Sequence, residues 1–231
     1  VALTSGGMLG KAATTMGLPW IQLTKGRQPR ADLYEQIVAM LRIVERLGIH
    51  LKLREALEET VKIFNFRKTR RGFIAEMAAE LNGRSGVIYG YGYLSPAALR
   101  WKQQFNENSK ILAWAEEVPE AMHNSLVGWD GYPDPDQYVV ILLRDPSSEP
   151  EPVKEELNWF ENFLDKKDII RFSVIAEGEK KISKLLGIVY MGDLISVELA
   201  MIRGLDPEAI EVITILKRHM SEWGISKLLE L

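Results

Sequence analysis

The chain has 231 residues, 29 basic and 32 acidic, a formal net charge of −3 and 46% hydrophobic side chains, which suits one large α/β domain or two small ones. The acidic excess argues against a general nucleic-acid binder. With no cysteine, disulfides, thiolate zinc sites and cysteine nucleophiles are excluded, and His50, His123 and His219 are too few and too scattered for a multi-histidine metal cluster.

In chain order, Val1–Leu3 reads as the end of a buried strand, Ser5-Gly6-Gly7 as a tight turn and Met8–Met16 as a short helix. Pro19–Leu23 reads as a second strand, followed by a loop marked by Gly26 and Pro29. Ala31–Leu47 is an amphipathic helix, with Leu33, Ile37, Met40, Leu41, Val44 and Leu47 at helical spacing and Gly48 ending it. A helix over Lys52–Asn65 follows, then the basic cluster Arg67, Lys68, Arg70 and Arg71, read as a solvated helix entrance, and a helix over 72–81.

Gly86–Tyr91 is a short apolar run. Ser95 is placed as the cap of a helix to about Asn106, with Pro96 at its first position. Strands are expected at Ile111–Ala115, Tyr138–Leu143 and Ile169–Ala176, and helices from about Pro119, over Pro152–Leu164, over Lys180–Arg203 and over Pro207–Trp223, the last capped by Asp206. Strands alternating with helices predict a parallel sheet covered on both faces, whose ligands bind at the carboxyl ends of the strands. No apolar run reaches the ~18–20 residues of a membrane span. With no basic-then-apolar leader after Val1, a cytoplasmic chain is expected.

Several residues carry chemistry, each with an ordinary reading beside it. Gly90 and Gly92 lie between a strand and a helix, but Ser95 stands at the third position of the dinucleotide fingerprint. A tight strand-to-helix turn is the better reading. Glu107, in Asn106-Glu107-Asn108 at a helix end, opposes the helix dipole; it reads as an exposed loop carboxylate or a functional one. His123, beside Met122, reads as a packed side chain or a functional group. Arg30, after Pro29 in a loop, reads as solvated or as an anion holder. Lys227 is among the final residues, where disorder is the default.

Asn106–Lys110 preceded by Ala98–Lys102, together with Pro119–Trp129 (Pro-Glu-Ala-Met-His-Asn-Ser-Leu-Val-Gly-Trp), resembles the bifunctional phosphoglucose/phosphomannose isomerases, which contain two sugar-isomerase (SIS) domains. Thr4–Gly7, the Gly26–Arg30 loop, Gly192-Asp193 through Ser196, Leu199-Ala200, Gly204 and Asp206-Pro207 extend the resemblance over nearly the whole chain. It implies an α/β fold: a three-layer SIS-type domain with a parallel sheet flanked by helices over 49–231, and the remnant of a first SIS domain over 1–48.

The resemblance also implies the chemistry, the reversible aldose–ketose isomerisation of glucose 6-phosphate and mannose 6-phosphate to fructose 6-phosphate through a cis-enediol(ate), with no cofactor and no metal. Glu107 takes the place of the catalytic base, His123 of the ring-opening histidine, Arg30 of the arginine stabilising the intermediate's charge, and Lys227 of a lysine facing the site. Ser5, Gly6, Gly7 and Arg30 are the expected substrate-binding residues. The expected partners are a sugar phosphate and a second copy of the chain, His123 reaching the partner's site, with no nucleic acid and no membrane. The family's Ser/Thr-rich phosphate loop has no counterpart here. By the resemblance the chain lacks about the first third of a full-length protein, and it is expected to be nearly inactive alone. A non-catalytic SIS module that binds or senses phosphosugars is the alternative.

Overall fold

A computed structural model of the chain describes residues 1–131 and 134–224. It comprises two compact units, Val1–Glu58 and Glu59–Leu231. They divide inside helix α3 (Leu53–Thr69), ten residues beyond the 48/49 boundary that the resemblance implies.

The first unit is a small parallel βαβ element. Strands β1 (Ala2–Thr4) and β2 (Trp20–Gln22) pair in register Ala2 to Trp20, and helix α1 (Gly7–Thr15) crosses between them. Its core is thin: Gly10, Ala13, Asp32, Leu53 and Ala56 are its buried residues. Helix α2 (Leu33–Arg46) has the expected apolar stripe, yet none of its residues is fully buried. Glu35 on α2 accepts hydrogen bonds from the Thr24 backbone N–H and hydroxyl, which ties the β2–α2 loop to the helix.

The second unit is a three-layer α/β/α sandwich. Strands β3 (Ser85–Tyr91), β4 (Ala113–Val118), β5 (Tyr138–Arg144) and β6 (Arg171–Ile175) form one parallel sheet in the order β4-β3-β5-β6. Helices α6 (Glu120–Gly131) and α7 (Glu151–Lys166) cover one face, where Ala121, Trp129, Val153, Leu157, Phe160 and Leu164 meet Val87, Tyr89, Val140 and Leu142. Trp129 donates its indole N–H to the Tyr89 hydroxyl at 2.7 Å, and burial pushes that phenol up to about 12. Helices α4 (Arg71–Leu81), α5 (Ser95–Gln104) and α8 (Lys181–Ile202) cover the other face. β5 lies between both layers, so Val139–Leu143 are buried and the strand reads as an unbroken apolar run.

α8 is 22 residues long and apolar enough by length and composition to cross a membrane. It is not a continuous apolar run, because Lys184, Asp193 and Glu198 interrupt it. Twelve of its residues, from Ser183 to Ala200, are buried in this domain. That describes a core helix, hydrophobic on several sides because it is enclosed on several sides.

Gly192 lets α8 approach α5: a Cβ there would lie 2.5 Å from the indole nitrogen of Trp101, which is fully buried and donates to the Ile188 carbonyl at 2.9 Å. Gly192→Ala is therefore expected to destabilise the domain by about 1–3 kcal/mol through overpacking, read as a lower Tm with unchanged far-UV circular dichroism. An unchanged Tm refutes this account of the α5–α8 contact.

Other boundaries move for identifiable reasons. Ser95 is not the cap of α5. It sits inside the helix, and its hydroxyl donates to Gly90 O and Glu117 Oε1. Gly90 fits the strand-to-helix turn, since a Cβ there would meet the Leu94 carbonyl at 2.8 Å. Arg67 is not solvated: α3 runs on to Thr69, and Arg67 is buried, donating to Ile175 O at 2.8 Å and pairing with Glu177. The last described helix, α9 (Glu211–Glu222), begins four residues later than expected; Asp206 instead accepts from the Glu208 N–H and closes a local turn.

Candidate functional site

α5 does not end at Asn106. After Gln104 it widens into a π-helical turn over Phe105–Ser109, a form enriched at functional sites. The turn is held from three directions. Phe105 is fully buried against Trp101, and the Asn106 side chain accepts the N–H of Ala113, the first residue of β4. Asn108 donates to the Ser196 hydroxyl at 3.0 Å, and Ser109 donates to the Ser196 carbonyl at 2.7 Å, so α8 grips the turn from behind.

Lys110 closes the turn in a left-handed conformation, φ 56°. Its ammonium donates to the carbonyls of Glu107 at 2.6 Å and Asp206 at 3.2 Å. A cation on the last carbonyls of a helix is favourable, and it offsets the cost of a glutamate at that end. Glu107 is half-buried, not on an exposed loop. It borders a cavity of about 340 Å³ together with Asn106, Lys110, Glu211 and the apolar start of α9. Lys110 and Ser196 are the positioning groups that the sequence reading missed. Lys110 stands within Asn106–Lys110, but its contact with Asp206 spans 96 positions.

His123 stands elsewhere. It is exposed in the first turns of α6, which follows the carboxyl end of β4. Glu107 precedes the amino end of the same strand. The six residues of β4 separate the two edges by roughly 17 Å at an ordinary strand rise. One chain does not bring Glu107 and His123 together. Glu107 also sits at the amino edge of the sheet, opposite the edge where ligands were expected.

Within the first unit, Gly6 and Gly7 line a cavity of about 510 Å³ with Gly10, Lys11, Thr14, Trp20 and Lys25, at the amino end of α1. Ser5 is exposed and is not part of that lining. Arg30 is half-buried in the turn before α2, where Ala31 and Asp32 donate to the Gln28 and Pro29 carbonyls. Lys227 lies outside the described residues. Among the described residues, no three His, Asp or Glu side chains gather closely enough to hold a metal ion.

The family model described as the bacterial phospho-glucose isomerase C-terminal SIS domain matches residues 74–220. The chain is 30% identical to a bifunctional phosphoglucose/phosphomannose isomerase of Thermoplasma volcanium, over 95% of this chain and 68% of that protein. The chain belongs to this isomerase family. A relative of the same name from Aquifex aeolicus is 28% identical over 96% of the chain and again 68% of its own length. The chain thus spans about two thirds of these family members. Among solved structures, a glucose-6-phosphate isomerase-like protein from Thermus thermophilus shares the fold, with TM-score 0.62 and 18% identity over 87% of this chain and 71% of that one. The matched stretch, 74–220, takes in the whole parallel sheet, the Phe105–Ser109 turn and His123.

Proposed function

We propose that the chain acts in phosphosugar isomerisation, interconverting glucose 6-phosphate or mannose 6-phosphate with fructose 6-phosphate through a cis-enediolate. The observation that carries the reading is Glu107: a half-buried carboxylate on a π turn, beside a cavity, its backbone fixed by Lys110 and its neighbours by Ser196. Moving a proton between C2 and C1 needs one carboxylate held against that edge of the sugar. Glu107 takes the proton from one carbon and returns it to the other. An enediolate free to turn about its C2–C3 bond presents either face of C2, which admits both epimers. Arg30 supplies fixed positive charge where the enediolate becomes negative. Ser5, Gly6 and Gly7 belong to substrate binding, and Lys227 faces the reacting sugar. In this reading residues 1–48 derive from a first SIS domain, and the protein works in the cytoplasm.

The test is a coupled isomerase assay with fructose 6-phosphate, run on the native protein and on the 231-residue chain, with solvent deuterium incorporation at C1 and C2 read alongside. Neither turnover nor exchange in the native protein overturns the reading in favour of a non-catalytic phosphosugar-binding module.

Because Glu107 and His123 lie at opposite edges of the sheet, His123 opens the ring in the site of a second copy. Inactive Glu107→Gln and His123→Ala chains, co-refolded together, are expected to recover activity in the hybrid dimers, each with one intact site. Hybrids that form and stay inactive refute the shared site.

Lys110→Met removes the tie on the Glu107 carbonyl and keeps the carboxylate. Small misplacements of reacting groups cost up to about 10²-fold. A fall in kcat of about 10–10²-fold with little change in KM is expected. An unaltered kcat denies Lys110 its positioning role.

A further inference from the structure

The strand order β4-β3-β5-β6 turns back between β3 and β5: the helix after β3 covers one face of the sheet and the helix after β5 the other. In open α/β sheets, the crevice outside the carboxyl ends of two such strands is where ligands bind. Here that crevice is bordered by the loop after β3, with Tyr93, and the loop after β5, Asp145–Pro150.

The crevice is filled from within. Asp145 is 3% exposed and aims its carboxylate into a ring of donors. The Tyr93 hydroxyl donates to Oδ2 at 2.6 Å, the Ser148 hydroxyl to Oδ2 at 2.7 Å and the Ser147 hydroxyl to Oδ1 at 2.6 Å. The Ser147 N–H reaches Oδ1 at 3.3 Å. Lys184, on the first turn of α8 and 7% exposed, donates to both oxygens at 2.9 and 3.0 Å, and to Ser147 Oγ at 2.7 Å. Burial works against the charge on Asp145, but the bonds from Ser147, Tyr93, Ser148 and Lys184 outweigh it and hold the carboxyl far below the usual range. The same neighbourhood raises the Tyr93 phenol, by burial first and then by Asp145.

An ion pair needs only Lys184 opposite Asp145. This carboxylate is instead surrounded by an ammonium, three hydroxyls and a backbone N–H from two loops and a helix start. Ammonium, hydroxyl and backbone donors converging on one point form the donor set that receives an oxyanion. We propose that this crevice is an oxyanion receptor which the chain occupies with its own Asp145 carboxylate. The domain's sheet therefore holds no phosphoryl group at its switch point, and a phosphosugar bound by this protein has its phosphate held elsewhere. The proposal does not rest on the isomerase reading, because its test measures phosphate binding and not turnover.

Asp145→Ala removes the internal anion and leaves every donor in place. Inorganic phosphate, titrated against the 231-residue chain at constant ionic strength, is expected to raise the variant's Tm in proportion to the logarithm of its concentration once above Kd, as ligand linkage requires. Calorimetric titration should show one saturable site. The wild-type chain and Asp145→Ala/Lys184→Met should show neither effect. A folded Asp145→Ala chain that phosphate affects no more than wild type overturns the proposal, and so does wild-type binding of equal affinity. If Asp145→Ala does not fold in plain buffer, it is refolded with phosphate or with formate, the carboxylate it lost. Recovery of the native circular dichroism spectrum supports the receptor, and failure with both anions overturns it.

Discussion

In the native protein, Glu107→Gln is expected to lower kcat/KM for fructose 6-phosphate by about 10²–10⁴-fold, the usual cost of losing a general base. The amide has the shape of the carboxylate and cannot take the proton. Three contacts that hold the turn do not use that carboxyl group: Lys110 binds the Glu107 carbonyl, and Asn108 and Ser109 bind Ser196. The variant should therefore keep its Tm and bind substrate with a similar KM, so the loss falls on kcat. Exchange of the C1 and C2 hydrogens with solvent deuterium should fall by the same factor, because the proposed reading gives that proton transfer to Glu107. A variant within about threefold of wild type, against the loss typical of a general base, removes Glu107 from the proton transfer.

Lys184→Met is expected to cost about 3 kcal/mol of stability, the lower end for breaking a buried ion pair from one side. Methionine fills the space of the lysine stem, so the loss reports charge more than packing. Asp145 is left buried with its hydroxyl partners and without its ammonium. In urea the midpoint should fall with an unchanged m-value. The acid limb adds a signature. A carboxyl whose folded pKa lies below its unfolded value of about 3.9 contributes stability above that pH, and the contribution is lost as pH falls through the folded pKa. Removing Lys184 raises that folded pKa toward the unfolded one. Wild type should therefore lose stability more steeply below about pH 4 than the variant does. A loss within the roughly 0.5 kcal/mol of an ordinary surface change contradicts a buried pair.

The parallel sheet was legible because enclosure writes itself into composition. β5 is apolar throughout since both of its faces are covered, and α5 shows a proline in its first turn. Edges and ends were less legible. β4 continues through Glu116 and Glu117 because it is an edge strand near its carboxyl end, and an apolar-run reading stops at Ala115. Asp206-Pro207 looks like a helix start, and locally it is one turn, but the chain does not propagate it until Glu211. Of the site, the motif around Glu107 was readable. Its surroundings were not: Ser196 lies 88 positions from Asn108, and Arg67 finds its carbonyl 108 positions away, so charge pattern alone placed Arg67 in solvent. The loop after β5 carries no recognisable motif of its own, because Lys184, which gives it meaning, stands 39 positions from Asp145.

The placement of Glu107 and His123 about one strand's length apart on a single sheet has a kinetic consequence. Strand pairs do not shorten, and no loop closure inside one copy can carry an α6 residue past the full height of β4. If turnover draws on both residues, it belongs to the pair of chains. Specific activity should then fall on dilution even while every chain remains folded, and in the dilute limit the rate should follow the square of protein concentration. Equally, a heterozygous mixture of two different loss-of-function copies would retain some activity that neither copy has alone.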